Sequence, residues 1–332
     1  MKVFRKAEVE KILDRLSGDA DVYVPMLRGP GSGFFSWQTY DEDFDDLVLD
    51  RLNVFLPPKQ IIISPAEKTS FNTIGDFEPV NEKIIFGIRS CDIQGIAFLD
   101  EFFSAGGSGA ELYKWRRDHT AIIANACYHP GSSCFCSSMG VDPLDPAGAD
   151  VIIRDTGSTG YIWETRSPKG ERLTEQIADL LEEKEVSLPD PLPFSLKVDL
   201  DGVMEKIGAM NDHPLWEKYS EACQRCALCT YDCPTCYCLD LQAAHWHEAG
   251  YEFSCLESCA YKNKVLSAGG VSSREAATER FRHRFLHKLH FYPQRYGKPL
   301  CAGCGRCIAI CPSDAGITRI ITEVREADLS SR

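Results

Sequence analysis

Cys223, Cys226, Cys229 and Cys233 stand at C-x2-C-x2-C-x3-C spacing with Pro234 behind them. Cys301, Cys304, Cys307 and Cys311 repeat that spacing with Pro312 behind them. Three cysteines separated by two residues each can turn their thiolates to three corners of a [4Fe–4S] cubane from one tight loop, while the fourth ligates the other cluster in two-cluster proteins of this pattern. On that rule cluster one takes Cys223, Cys226, Cys229 and Cys311, and cluster two takes Cys301, Cys304, Cys307 and Cys233. The crossing ties together segments with 67 residues between them, so metal binding there is also folding energy. Zinc is the bland alternative, but it prefers two C-x2-C pairs around one tetrahedral ion. A third cysteine three residues further on is hard to place in such a site.

Eight more cysteines lie outside these runs. Cys91 follows an apolar strand pattern and opens a helix. Cys127 ends the next strand pattern, and CYHPGSSCFC then folds back through proline and glycine to Cys134 and Cys136. Two neighbouring strand ends and one tight loop suit a third [4Fe–4S] site on Cys91, Cys127, Cys134 and Cys136. A zinc site, ordinary buried cysteines, and a reactive Cys91 thiol at a helix N-terminus are the alternatives. Cys236, Cys238, Cys255 and Cys259 follow the first run. Packing and tuning of its cluster through weak S–H donors is one role for them, and an extra ligand set is the other. His245 and His247, at i and i+2, do not share a helix face and read as surface residues.

The elements that must hold these thiols change character along the chain. Residues 6–17 pattern as a helix with Val9, Ile12, Leu13 and Leu16 on one face. Short isoleucine-rich runs at 59–67, 82–90, 120–127, 150–155 and 160–167 read as strands, with helices over 92–103 and about 170–184. RGPGSGFF (28–35) reads as a glycine-rich loop without the lysine of a phosphate loop. VSLPDPLPF (186–194) carries three prolines and reads as a linker. Beyond it, residues 203–220 pattern as a helix broken near Pro214, and 273–297 as a long helix carrying Arg274, Arg280, Arg282, Arg284, Lys288, Arg295 and Lys298. A solvated face is the default reading of that basic stretch, and docking to an acidic partner protein is the sharper one. The expected fold is α+β: a mixed α/β domain over 1–190 with the third iron–sulfur site, then an all-helical, ferredoxin-like two-cluster domain over 200–325.

The 332 residues suffice for about two domains. A net charge of −13 argues against nucleic-acid and anionic-membrane partners. No run approaches the roughly 18 apolar residues of a membrane span, and MKVFRKAEVEKILDRL is not a secretory leader. A cytoplasmic, oxygen-poor setting follows, in which sixteen cysteines point to metal rather than disulfides. No dinucleotide fingerprint, nucleophile elbow or zinc-protease motif appears. Clusters without substrate chemistry make an electron relay that is not catalytic alone and needs a donor and an acceptor on other subunits. A redox-sensing binding protein, and a chain whose N-terminal cluster itself binds a thiol or polysulfide, are the rival readings.

IIFGIRSCDIQGIAFLD, CFCSSMG, HPLW, CPTCYC, the SAGG and RFRHRFLHK stretches, and CAGCGRCIAICP occur in this order. Together they resemble the iron–sulfur subunit of anaerobic sulfite reductase and the beta subunit of sulfhydrogenase, over nearly the whole chain. The resemblance implies electron transfer between a catalytic subunit and a flavin (FAD), NAD(P)-binding subunit. The catalytic one is a sirohaem sulfite reductase, a nickel–iron hydrogenase/sulfur reductase, or a heterodisulfide-reductase-type enzyme. The resemblance also implies cysteines matching Cys91, Cys127, Cys134 and Cys136, and Cys236, Cys238 and Cys255, with Cys259 peculiar to this chain. CFCSSMG lies closer to the sulfite reductase version.

Overall fold

The structure, a computed structural model, describes residues 1–64, 66–69, 81–106, 109–157, 160–246, 249–261 and 274–329. His247 and the SAGG stretch lie outside these residues. The chain divides into two compact units. The first comprises Met1–Ser64, Phe71–Gly131 and Val141–Pro193; the second comprises Pro65–Ser70, Ser132–Gly140 and Phe194–Arg332.

The first unit is built on one mixed sheet. Its strands are β1 (Lys2–Arg5), β2 (Asp21–Arg28), β3 (Gly31–Ser36) and β4 (Asp45–Leu47), while β5 (Ala66–Thr69) belongs to the second unit. Then come β6 (Lys83–Ile88), β7 (Thr120–Asn125), β8 (Val151–Asp155), β9 (Gly160–Thr165) and β10 (Glu182–Glu183). The order is β10-β1-β9-β8-β7-β6-β2-β3, with β4 on β2. The β2–β6–β7–β8 core is parallel and its flanks are antiparallel. Every residue of β7 is buried, as suits a strand with both faces covered.

Helix α1 (Val9–Leu16) buries Val9, Ile12, Leu13 and Leu16, the four residues that the 3.6-residue period selects. Two local expectations are corrected. KQII forms a helical turn, α2 (Lys59–Ile62), rather than a strand; it follows Pro57-Pro58, and proline suits the first turn of a helix. The glycine-rich stretch forms β3, paired in register with β2 from Tyr23–Ser36 to Arg28–Gly31. Further on come α3 (Ser90–Ser104), α4 (Ala110–Asp118) and α5 (Pro168–Gln176).

The second unit has its own core of Val203, Ile207, Trp216, Phe281, Phe285, Leu289, Ile320 and neighbours. They come from α6 (Val203–Ile207), α7 (Leu215–Ala222), α9 (Ala277–Leu286), a wider π-helical turn over His287–Phe291 and α12 (Ile317–Glu326); α8 (Leu228–Tyr231), α10 (Tyr292–Tyr296) and α11 (Arg306–Ala309) complete the helices. Trp216, 1% exposed, packs as core. The expectation of an all-helical unit fails here. β11 (Leu239–Trp246) and β12 (Ala249–Leu256) form an antiparallel hairpin, and β12 pairs on its other side with β5. Strands β11 and β12 sit in the long interval between the two cysteine runs, where the sequence reads as helical. Among the described residues no helix is long and apolar enough to cross a membrane.

Candidate metal centre

Helix α7 stops at Cys223, which is extended at φ −72° and ψ 120°. The chain then turns left-handed at Arg225 (φ 57°) and Ala227 (φ 61°) before α8 begins. The second run repeats this at matching positions, Gly303 (φ 63°) and Gly305 (φ 79°), before α11. Alternating backbone handedness turns successive N–H groups toward one side, a concavity that suits a negatively charged group. The Gly303 N–H donates to Cys301 Sγ at 3.4 Å.

The sulfurs gather in two sets. Burial pushes the Cys223 thiol up, and the nearby Cys229, Cys311 and Cys226 push it further. Burial likewise pushes Cys301 up and Cys307 up to about 12, with Cys233 adding to both. Cys304 is raised by burial, then by Cys233 and Cys307. Cys311 thus stands with the first run and Cys233 with the second. Thiols held this close resist ionising together, and a bound metal would reverse that by taking up thiolate and releasing protons.

The first set and Cys307 of the second run line a cavity together with Arg284, Phe281, Phe285 and Pro312. Among the described residues no three or more His, Cys, Asp or Glu converge on a point that would hold a single ion.

Buried cations stand among these sulfurs: Arg306, 2% exposed, lies beside Cys304 and 4.0 Å from Asp232, and two more reach the sulfurs by hydrogen bonds. Arg284, 7% exposed, donates from Nε to Cys229 Sγ at 3.2 Å and from Nη2 to the Cys229 carbonyl at 2.7 Å. Its Nη1 is buried with no hydrogen-bond partner in the protein. Lys288, 3% exposed, donates to Thr235 Oγ1 at 2.7 Å, to the Leu300 carbonyl at 3.0 Å and to Cys233 Sγ at 3.5 Å. Burial opposes both charges, but the surrounding cysteine sulfurs outweigh it and hold both groups protonated. The solvated-face reading is therefore wrong for Arg280, Arg284 and Lys288, all of which are buried. The signal was present: these three recur at i, i+4 and i+8, each one residue before buried Phe281, Phe285 or Leu289, so they share the buried face. A buried guanidinium with an orphan donor beside four thiols fits an anionic, sulfur-rich group better than an apolar filling.

The remaining cysteines divide. Cys91 is the second residue of α3 and Cys127 follows β7, both in the first unit; Cys134 and Cys136 belong to the second. Within the second unit Cys134 donates to the Cys304 carbonyl at 3.6 Å, and the Phe135 N–H donates to the Gly303 carbonyl at 2.8 Å. The CFC segment thus lies along the second run. Cys236 bonds Cys233, which with burial pushes its thiol up, and Cys259 likewise bonds Cys238. Cys255 lies on β12, paired with Asp240 and Ala66.

A 4Fe-4S dicluster domain family matches residues 222–315. The chain is 30% identical to sulfhydrogenase 2 subunit beta of Pyrococcus furiosus, over 95% of this chain and 96% of that protein. No solved structure matches it.

Proposed function

Since the chain belongs to the family of sulfhydrogenase beta subunits, we propose that it is the iron–sulfur electron-transfer subunit of a multisubunit oxidoreductase, holding two [4Fe–4S] clusters. The observation that carries this is the grouping of the sulfurs. Three cysteines of each run stand with the fourth cysteine of the other, each set beside a buried cation. Cluster one falls to Cys223, Cys226, Cys229 and Cys311, and cluster two to Cys301, Cys304, Cys307 and Cys233. When bound, the clusters supply one-electron chemistry. The protein's own part is to hold the thiolates, exclude water and balance charge.

The partners we assign are a catalytic subunit and a flavin (FAD), NAD(P)-binding subunit, one at each end of the electron path. A hydrogenase/sulfur reductase is favoured for the catalytic partner by the identity to the sulfhydrogenase protein. The sulfite reductase assignment rests on CFCSSMG alone. Anaerobic purification tests the reading: about eight irons per chain and cluster signals by electron paramagnetic resonance after reduction are expected. Zinc in place of iron, or fewer than about four irons, would sink it. A count of about twelve marks a third cluster. The protein that co-purifies identifies the catalytic partner.

A further inference from the structure

We propose that Arg284 and Lys288 are potential-setting residues, one for each cluster: Arg284 for the cluster on Cys229, Lys288 for the cluster on Cys233. This rests on the two-cluster reading above. The two residues stand one helical turn apart, Arg284 in the last turn of α9 and Lys288 in the π-helical turn that follows. From adjacent turns each reaches a cysteine sulfur of a different set, at 3.2 Å and 3.5 Å. Burial keeps water from screening either charge.

No carboxylate is within ion-pairing distance of Arg284 among the described contacts; its donors go to Cys229, and Nη1 is left over. Lys288 is held by a hydroxyl, a carbonyl and a sulfur, all uncharged or thiolate acceptors. Each cation is therefore directed to sulfur.

The consequence is electrostatic. A tetrathiolate cubane is an anion that gains one further negative charge when it takes one electron, with no bond broken and no proton moved in the protein. A fixed cation hydrogen-bonded to a ligand sulfur favours the reduced form over the oxidised one. It thereby raises the potential of the cluster it touches. The two hydrogen bonds go to different sets, so each residue acts most strongly on one potential, while Arg284 also lies near Cys307 and Cys233 of the second set. The chemistry of the two donors differs also: a planar guanidinium grips backbone and sulfur together, whereas an ammonium is a compact point charge. The pair is thus suited to holding the clusters at unequal potentials.

The test is a potentiometric titration of the full chain with dithionite as electron donor, read by electron paramagnetic resonance, after iron has been counted in each variant. Lys288→Met is expected to shift one of two one-electron waves negative by at least tenfold in reduced-to-oxidised ratio, about 59 mV. Arg284→Met is expected to shift the other. Lys288→Arg and Arg284→Lys, which keep the charge, should stay near wild type. If Lys288→Met does not load iron, Lys288→Gln keeps a donor and drops only the charge, and its wave must fall likewise. Iron-replete charge-removing variants with unmoved waves overturn the inference. So does an equal shift of both waves in either variant, which would mark a diffuse charge effect. A wild-type chain without iron would instead overturn the two-cluster reading itself.

Discussion

Gly303 and Ala227 are left-handed residues of the two cysteine loops, at φ 63° and 61°; Gly303 stands two residues after Cys301, and Ala227 four after Cys223. Their tolerance should differ sharply. A Cβ on Gly303 would stand 2.6 Å from Cys136 Cα and from the Phe135 carbonyl oxygen, both backbone atoms. Gly303→Ala therefore combines left-handed strain with a backbone collision. It is expected to cost about 2 kcal/mol or more, measured as a lower apparent thermal midpoint and reduced iron retention. Ala227 already carries its Cβ in a left-handed conformation, so Ala227→Gly trades strain for chain entropy and should stay within about 1 kcal/mol of wild type. Cysteine spacing made the sulfur sets legible, because the count of residues between thiols limits which corners a loop can reach. The left-handed turns were legible only where glycine marks them. Arg225 and Ala227 give no such mark, and the close approach of Phe135 and Cys136 to Gly303 depends on a contact across more than 160 residues.

The helical segment from α9 through the π-turn carries two half-buried imidazoles with a measurable consequence. The imidazoles of His283 and His287 are pushed down to about 4, chiefly by burial and then by neighbouring cations: Arg274 for His283, and Lys288 first for His287. An unfolded chain takes these protons near pH 6.5. Between pH 6.5 and 4 the unfolded state thus binds more protons than the folded one, so stability is full above 6.5 and falls with pH across that window. For His287, the more buried of the two, the loss from pH 7.5 to 5.5 is about 1 kcal/mol. The apparent thermal midpoint, scanned at one rate, should fall over that range, and His287→Gln should flatten the slope; an unchanged slope would reject the assignment. At this scale the sequence was an uneven guide. The period in Val9, Ile12, Leu13 and Leu16 marks α1 plainly, since one buried face selects it. The β11–β12 hairpin was missed because LDLQAAHW lacks a clean alternation and its strands are set by pairing with each other and with distant β5.

The cores of the two compact units stand differently to the cysteines. Among the described residues, the core cluster of the first unit, from Phe4 and Val9 through Ile123 and Val151 to Trp163 and Ile177, contains no cysteine. The core of the second has Cys223, Cys301 and Cys307 packed against it, and it holds Arg284 and Lys288 charged and buried. If the proposed clusters are removed, those cations would lose the charge that offsets their burial, and the proposed crossing through Cys233 and Cys311 would be cut. The second unit also takes Ser132–Gly140 and Pro65–Ser70 out of the middle of the first unit's sequence, a division that a proline-rich linker at 186–194 could not disclose. Its boundaries are set by hydrogen bonds such as Phe135 N–H to the Gly303 carbonyl, not by local composition. Anaerobic chelation of iron from the whole chain should therefore raise amide exchange across Phe135, α7, α9 and the cysteine runs, while the amides of β6, β7 and β8 keep their protection. Equal loss of protection in both groups would mean that the first unit also depends on the metal. Unchanged protection in the second would mean that its helices close without the clusters.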